Sequence, residues 1–120
     1  MSKILLVDDH ADIRRLMRVT LGKTFEILEA EDGVSAFKLA QEHRPDLIVL
    51  DVMMPGEIDG LQVLESIKAD PLTRDTLVAM ITARGQVADH DDARARGADA
   101  YFIKPFSPLK LVNRIKELTQ

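Results

Sequence analysis

A parallel α/β sheet layered by helices is the architecture this sequence predicts, on three observations. Short aliphatic runs recur along the chain, among them Ile4–Val7, Leu47–Leu50 and Leu77–Ile81. Stretches with apolar residues at helical spacing lie between them. The connections are short, with glycine or proline beside the helix ends. A run of four aliphatics has no polar face, so it fits a strand covered on both sides, as in a parallel sheet. Five strands alternating with five helices then require right-handed crossovers and helices on both faces.

The bulk numbers bound the function classes. At 120 residues, one domain spanning residues 1–120 is expected. Hydrophobic residues make up 46% and aromatics only 4%, so the core must be aliphatic. Cysteine is absent, which excludes disulfides, thiolate metal sites and cysteine nucleophiles. A net charge of −4 argues against direct nucleic-acid binding. No stretch approaches the roughly 18 apolar residues of a membrane span. Met-Ser-Lys before Ile4 is too short for a signal sequence, so a cytoplasmic protein is expected.

The elements follow in order. Lys3–Val7 is a buried strand running into Asp8 and Asp9, and Ile13, Leu16, Met17 and Leu21 stripe a helix that Gly22 ends. Phe25–Glu29 is a more polar strand, hence nearer an edge. Asp32 opens a second helix bearing Ala36, Phe37 and Ala40, with Pro45 just beyond it. Leu47–Leu50 is the central strand and ends at Asp51. Asp59 caps a third helix with Gln62 three residues on, as in a capping box, and Asp70-Pro71 ends it. Leu77–Ile81 is the fourth strand, ending at Thr82. Residues 86–96 carry only Val87 and small alanines among charges, which predicts a weakly anchored helix, closed by Gly97. Ala100–Ile103 is the fifth strand and leads into Lys104-Pro105. Ser107 caps the last helix, with Pro108 at its first position and Leu111, Val112, Ile115 and Leu118 as its stripe.

Asp8, Asp9, Asp51, Thr82 and Lys104 all stand just past strands. If the strands are parallel, these groups share the sheet edge where open α/β sheets bind ligands. Taken singly, an acidic pair can be a helix cap and a lysine before proline a surface residue. Three carboxylates brought together repel one another, and either their pKa values rise or a cation fills the gap. Oxygen-only donors select a hard ion such as magnesium. A metal and an ammonium beside one carboxylate make a place for a phosphoryl group. Asp51, ionised without a base, has the chemistry of a nucleophile toward phosphorus.

The whole chain resembles the receiver domains of two-component response regulators. The resemblance rests on Asp8-Asp9, the Asp51 stretch with Met54-Pro55 and Asp59-Gly60, Thr82-Ala83, and Gly97 to Phe106, all in order. It implies a flavodoxin-like fold with strand order 2-1-3-4-5, the order of chemotaxis receivers. It further implies that Asp51 is the phospho-acceptor of a kinase phosphohistidine or a histidine phosphotransfer protein. Magnesium would be held by Asp9, Asp51, the backbone carbonyl of Met53 and, through water, Asp8. Lys104 would contact Asp51 or its phosphate, and the Lys104-Pro105 bond would be cis. Thr82 and Tyr101 would form a switch pair, the alternative for Tyr101 being a plain core residue. The output face would comprise the 86–96 helix, the fifth strand and the last helix, leaving homodimerisation through it open. The family catalyses only its own phosphorylation and dephosphorylation, so a regulator rather than an enzyme is expected.

Two departures and one neighbour stand out. The loop holding Gly56–Ile58 is one residue longer than the family pattern. Met53 and Arg84 occupy positions that tune water attack on the phosphate in such receivers, and apolar Met53 predicts a long-lived phospho-form. His10, beside an oxygen site, reads as a partly exposed surface histidine. A haloacid-dehalogenase-like phosphatase would need Asp-x-Asp after the first strand, and a nucleotide binder a glycine-rich loop there. Asp8-Asp9-His10 is neither.

Overall fold

The structure, a computed structural model, describes residues 2–52, 59–83, 96–104 and 107–119. Of Thr82, Ala83 and Lys104 it describes the backbone alone. Five strands, β1 (Lys3–Val7), β2 (Glu26–Ala30), β3 (Leu47–Asp51), β4 (Leu77–Ala83) and β5 (Ala100–Lys104), form one sheet in the order β2-β1-β3-β4-β5. All four pairings are parallel. Among the described residues the helices are α1 (Ala11–Leu21), α2 (Gly33–His43), α3 (Gly60–Ala69) and α4 (Pro108–Thr119). The expected flavodoxin-like order and parallel sheet are therefore correct. The helix expected over 86–96 falls outside the described residues, except Arg96, which lies in a turn.

Two-residue periodicity divides the aliphatic runs between two cores. Leu5, Val7, Ile48, Leu50, Val78 and Met80 face one layer, where Ala36 and Ala40 of α2 and Val63, Leu64 and Ile67 of α3 cover them. Ile4, Leu6, Leu47, Val49, Ala79 and Ile81 face the other, beneath Met17 and Leu21 of α1 and Leu111, Val112 and Ile115 of α4. Every residue of Ile4–Leu6 and Leu47–Leu50 is fully buried. That explains why these strands carry no polar alternation. Edge strand β2 is more exposed, with Glu26 at the surface and only Ala30 buried.

The helix ends are fixed by local hydrogen bonds. Asp32 caps α2 by accepting the Ser35 amide at 2.8 Å. Asp59 accepts the Gln62 amide while Gln62 accepts the Asp59 amide, both at 2.9 Å, so the expected capping box is present. Gly22 follows α1 in a right-handed conformation, and the left-handed cap falls instead on Arg44, at φ 46°, directly before Pro45. Strand boundaries shift slightly from the sequence reading. Phe25 leaves β2 because its amide bonds back to Leu21 at the end of α1. β4 and β5 extend further because Ala83 pairs with Lys104.

Candidate functional site

Parallel register brings the carboxyl ends of the strands to one edge. Val7 pairs with Leu50 and Asp51 with Ile81, so Asp8 and Asp51 emerge from adjacent strands β1 and β3. Thr82 pairs with Ile103 and Ala83 with Lys104, which carries the backbones of Thr82 and Lys104 to the same edge. Asp8 is fully buried and Asp51 3% exposed, whereas Asp9 and His10 face solvent. One ligand atom from each of Asp8, Asp9, His10 and Asp51 lies within 4.8 Å of the others.

The surrounding backbone holds this cluster in place. The Asp8 amide donates to Ala30 of β2 at 3.2 Å, and the Val52 amide donates to Ile81 of β4 at 3.0 Å. Gly60 starts α3 against the end of β3, with its amide on the Val52 carbonyl at 3.0 Å. A Cβ on Gly60 would stand 2.1 Å from the Asp51 carbonyl oxygen and 2.7 Å from the Val52 Cα, so only glycine permits this approach. The Asp59-Gly60 pair thus serves two ends: Asp59 starts the helix and Gly60 lets it touch the strand that carries Asp51.

Arg14 was not singled out from the sequence, where it lies off the apolar stripe of α1. Its side chain is only 16% exposed. One guanidinium nitrogen donates to the Asp8 carbonyl at 2.6 Å, and Nε pairs with Glu29 of β2 at 3.2 Å. Arg18 pairs with the other Glu29 oxygen. The helix is thereby tied to both strands beside the acids. Six residues separate Arg14 from Asp8, a spacing with no local signature, so tertiary packing alone reveals the contact.

His10 corrects the sequence reading in part. Its side chain is 63% exposed, as expected of a surface residue, yet Nδ1 lies 3.0 Å from Asp8 Oδ1 and 3.1 Å from Asp9 Oδ1. The His10 amide also donates to Asp8 Oδ1 at 2.8 Å. Tyr101 pairs with Met80 in the sheet and packs, half-buried, against the α2–α3 layer. Met53, the Gly56–Ile58 loop, Arg84 and Pro105 lie outside the described residues, as do the side chains of Thr82 and Lys104.

Two unit charges about 4 Å apart repel by roughly 4 kcal/mol at the effective dielectric of a protein surface. Three carboxylates within 4.8 Å therefore fit a divalent cation, and their oxygens suit a hard one. The site can gather a metal and present one buried carboxylate, Asp51, at the sheet edge where ligands of doubly wound folds bind.

Comparison with known proteins agrees with this geometry. Residues 4–116 match the family of the response regulator receiver domain. The chain belongs to that family. It is 46% identical over 115 residues to the phosphate regulon transcriptional regulatory protein PhoB of Klebsiella pneumoniae, covering 95% of this chain and 50% of that protein. It is 41% identical over 118 residues to the transcriptional regulatory protein SrrA of Staphylococcus aureus, covering 98% of this chain and 47% of the relative. The chain thus spans about half the length of the curated relatives it matches. Among solved structures, a putative response regulator from Chloroflexus aurantiacus superposes with a TM-score of 0.91 at 31% identity, covering 98% of this chain and 97% of that one. The chemotaxis response regulator CheY4 of Vibrio cholerae gives a TM-score of 0.90 at 30% identity, covering 98% of both chains. This receiver domain is accordingly a regulatory module of two-component signalling rather than a conventional enzyme. No described helix is long and apolar enough to cross a membrane.

Proposed function

We propose that residues 1–120 act as one phospho-acceptor switch, charged at Asp51 by the phosphohistidine of a sensor kinase or a histidine phosphotransfer protein. The observation that carries this reading is the convergence of Asp8, Asp9 and Asp51 at the carboxyl edge of a receiver-family sheet. An Asp51 carboxylate oxygen attacks phosphorus, the P–N bond of the phosphohistidine breaks, and the released imidazole nitrogen keeps the electron pair and takes up a proton. Asp51 is left as an acyl phosphate. Asp9 and Asp51 would hold magnesium directly, Asp8 through water, with the Met53 carbonyl completing the protein's share. When bound, the metal neutralises charge on the phosphoryl oxygens. The Lys104 ammonium serves the same end from β5.

Phosphorylation adds about −1.5 to −2 charge with new acceptor oxygens. In this reading the Thr82 hydroxyl turns toward them and Tyr101 moves into the space released. The segment 86–96, β5 and α4 then form the face read by a downstream effector or a second copy. The many carboxylates of the domain leave it poorly suited to touch nucleic acid itself, and a cytoplasmic setting follows from dependence on a kinase.

Incubation with magnesium and a small phosphodonor, followed by intact-mass measurement, tests the reading. One phosphoryl group should be added to the wild type and none to Asp51→Asn. An equal adduct on Asp51→Asn would overturn the assignment. Beryllofluoride should shift the Tyr101 resonances if the switch pair operates. The phospho-form should outlast several minutes if Met53 shields it from water, and release within seconds would sink that expectation.

A further inference from the structure

We propose that His10 is a nitrogen ligand of the acidic pocket, extending its cation chemistry from hard ions to borderline divalent ions such as cobalt(II) and zinc(II). The inference rests on reading Asp8, Asp9 and Asp51 as a metal site.

Ligands bonded to one ion at about 2.1 Å lie roughly 3 Å apart when adjacent and about 4.2 Å apart when opposite. The 3.1 Å from His10 Nδ1 to Asp9 Oδ1 is that of adjacent ligands, and the 3.0 Å to Asp8 Oδ1 sets the ring beside the acid that would reach the ion through water. The largest separation in the four-residue set, up to 4.8 Å, requires only a small contraction around an ion. The ring is also held at short range. His10 precedes the first turn of α1 in an extended conformation, and its own amide is fixed on Asp8 Oδ1 at 2.8 Å. The imidazole therefore reaches the acids from a backbone that the acids anchor. With the side chain 63% exposed, its second nitrogen can bond to water while the first faces the pocket.

Donor chemistry then sets selectivity. A neutral imidazole presents one unprotonated nitrogen. Carboxylate and carbonyl oxygens suit magnesium, whereas imidazole suits zinc, nickel and copper, and affinity at mixed nitrogen–oxygen sites rises along the divalent series toward copper. His10 should thus add affinity for borderline ions and little for magnesium. In the competing arrangement the ring only donates a hydrogen bond to the carboxylates and occupies the cation's place. Its removal would then strengthen binding of every divalent ion.

Calorimetric titration of the full chain with Mg²⁺ alone and with Co²⁺ alone, for wild type and His10→Asn, separates these cases. The expected result is a loss of roughly tenfold or more in Co²⁺ affinity with Mg²⁺ affinity held within about twofold. Equal changes for the two ions, no change for either, or tighter Mg²⁺ binding by His10→Asn would overturn the role of His10. Wild type that binds neither ion would overturn the metal-site reading itself. A second measurement uses the wild type only: the His10 ring ¹⁵N resonances should shift selectively on Zn²⁺ addition and stay in place on Mg²⁺ addition. Unmoved ring resonances at saturating Zn²⁺ would equally count against ligation.

Discussion

The two edges of the sheet handle charge in opposite ways. At the amino edge, Asp46 and Asp99 are each met by fixed donors. Asp46 accepts the Lys3 amide at 2.7 Å, and its own amide and carbonyl join β1 and β4. Asp99 accepts both the Lys68 ammonium and the Val78 amide at 2.9 Å, while Lys68 also donates to the Thr76 carbonyl at 2.8 Å. At the carboxyl edge, Asp8, Asp9 and Asp51 are brought against one another and against His10. The first arrangement stabilises the fold. The second gathers carboxylates that could hold a cation, and a cation there would offset their mutual repulsion.

The sharpest test of this contrast compares two glycines. Gly60 at the carboxyl edge faces fixed backbone, 2.1 Å from where a Cβ would sit. Gly97, before β5, faces the flexible Lys68 side chain, with the nearest atom 3.3 Å from an added Cβ, although its φ of 104° is strained for any other residue. Gly60→Ala should therefore lose about 2–4 kcal/mol in urea denaturation. Gly97→Ala should lose about 1–2 kcal/mol. A Gly60→Ala midpoint equal to wild type would break the claim that β3 and α3 are locked together there.

The acids themselves should respond with opposite signs. Asp99→Ala removes the acceptor of a backbone amide and an ammonium and should cost about 1–2 kcal/mol. Asp8→Asn keeps the shape and the acceptor for the His10 amide while removing one of three crowded charges. It should raise the stability of the metal-free domain by roughly 1 kcal/mol. Magnesium should then stabilise the wild type more than Asp8→Asn, through mass action on the folded state alone. Thermal melts with and without the metal read both effects. A destabilised Asp8→Asn in the absence of metal would remove the difference between the edges.

Much of this contrast is legible in the sequence, though not all of it. Aliphatic runs such as Leu47–Leu50 announce buried strands because no residue in them needs water, and an acid closing such a run marks its emergence. The caps at Asp32 and Asp59 are equally readable, since their partners lie three residues away. The strand order rests on resemblance, because pattern alone does not say which strands are neighbours. The Arg14 bond to the Asp8 carbonyl and the clash that keeps position 60 a glycine depend on a helix meeting a strand end. The turn of the His10 ring onto Asp8 and Asp9 is local in sequence, but residue spacing does not set which way a ring faces. Arg44 in a left-handed conformation also breaks the local preference for glycine there, in this case just before a proline.

The smallest expected effect separates capping acids from the site acids by their response to pH. Backbone and side-chain hydrogen bonds from Ser35 hold the Asp32 carboxyl below its ordinary value, and the Leu72 amide and Gln41 do the same for Asp70. Both groups bind protons less readily folded than unfolded. Their contribution is thus fully present above the unfolded carboxylate value, roughly pH 4, and is lost as pH falls through the lower folded values. Asp32→Asn and Asp70→Asn retain an acceptor oxygen but no charge, so each should melt slightly below wild type at pH 6 and converge with it as the pH drops below about 4. Asp8→Asn should show no such convergence from below, because it starts above wild type when the metal is absent. If the gap between wild type and Asp32→Asn were the same at pH 6 and pH 3, the charge on this cap would contribute nothing, and the amino-acid choice at the start of α2 would reduce to its hydrogen bond.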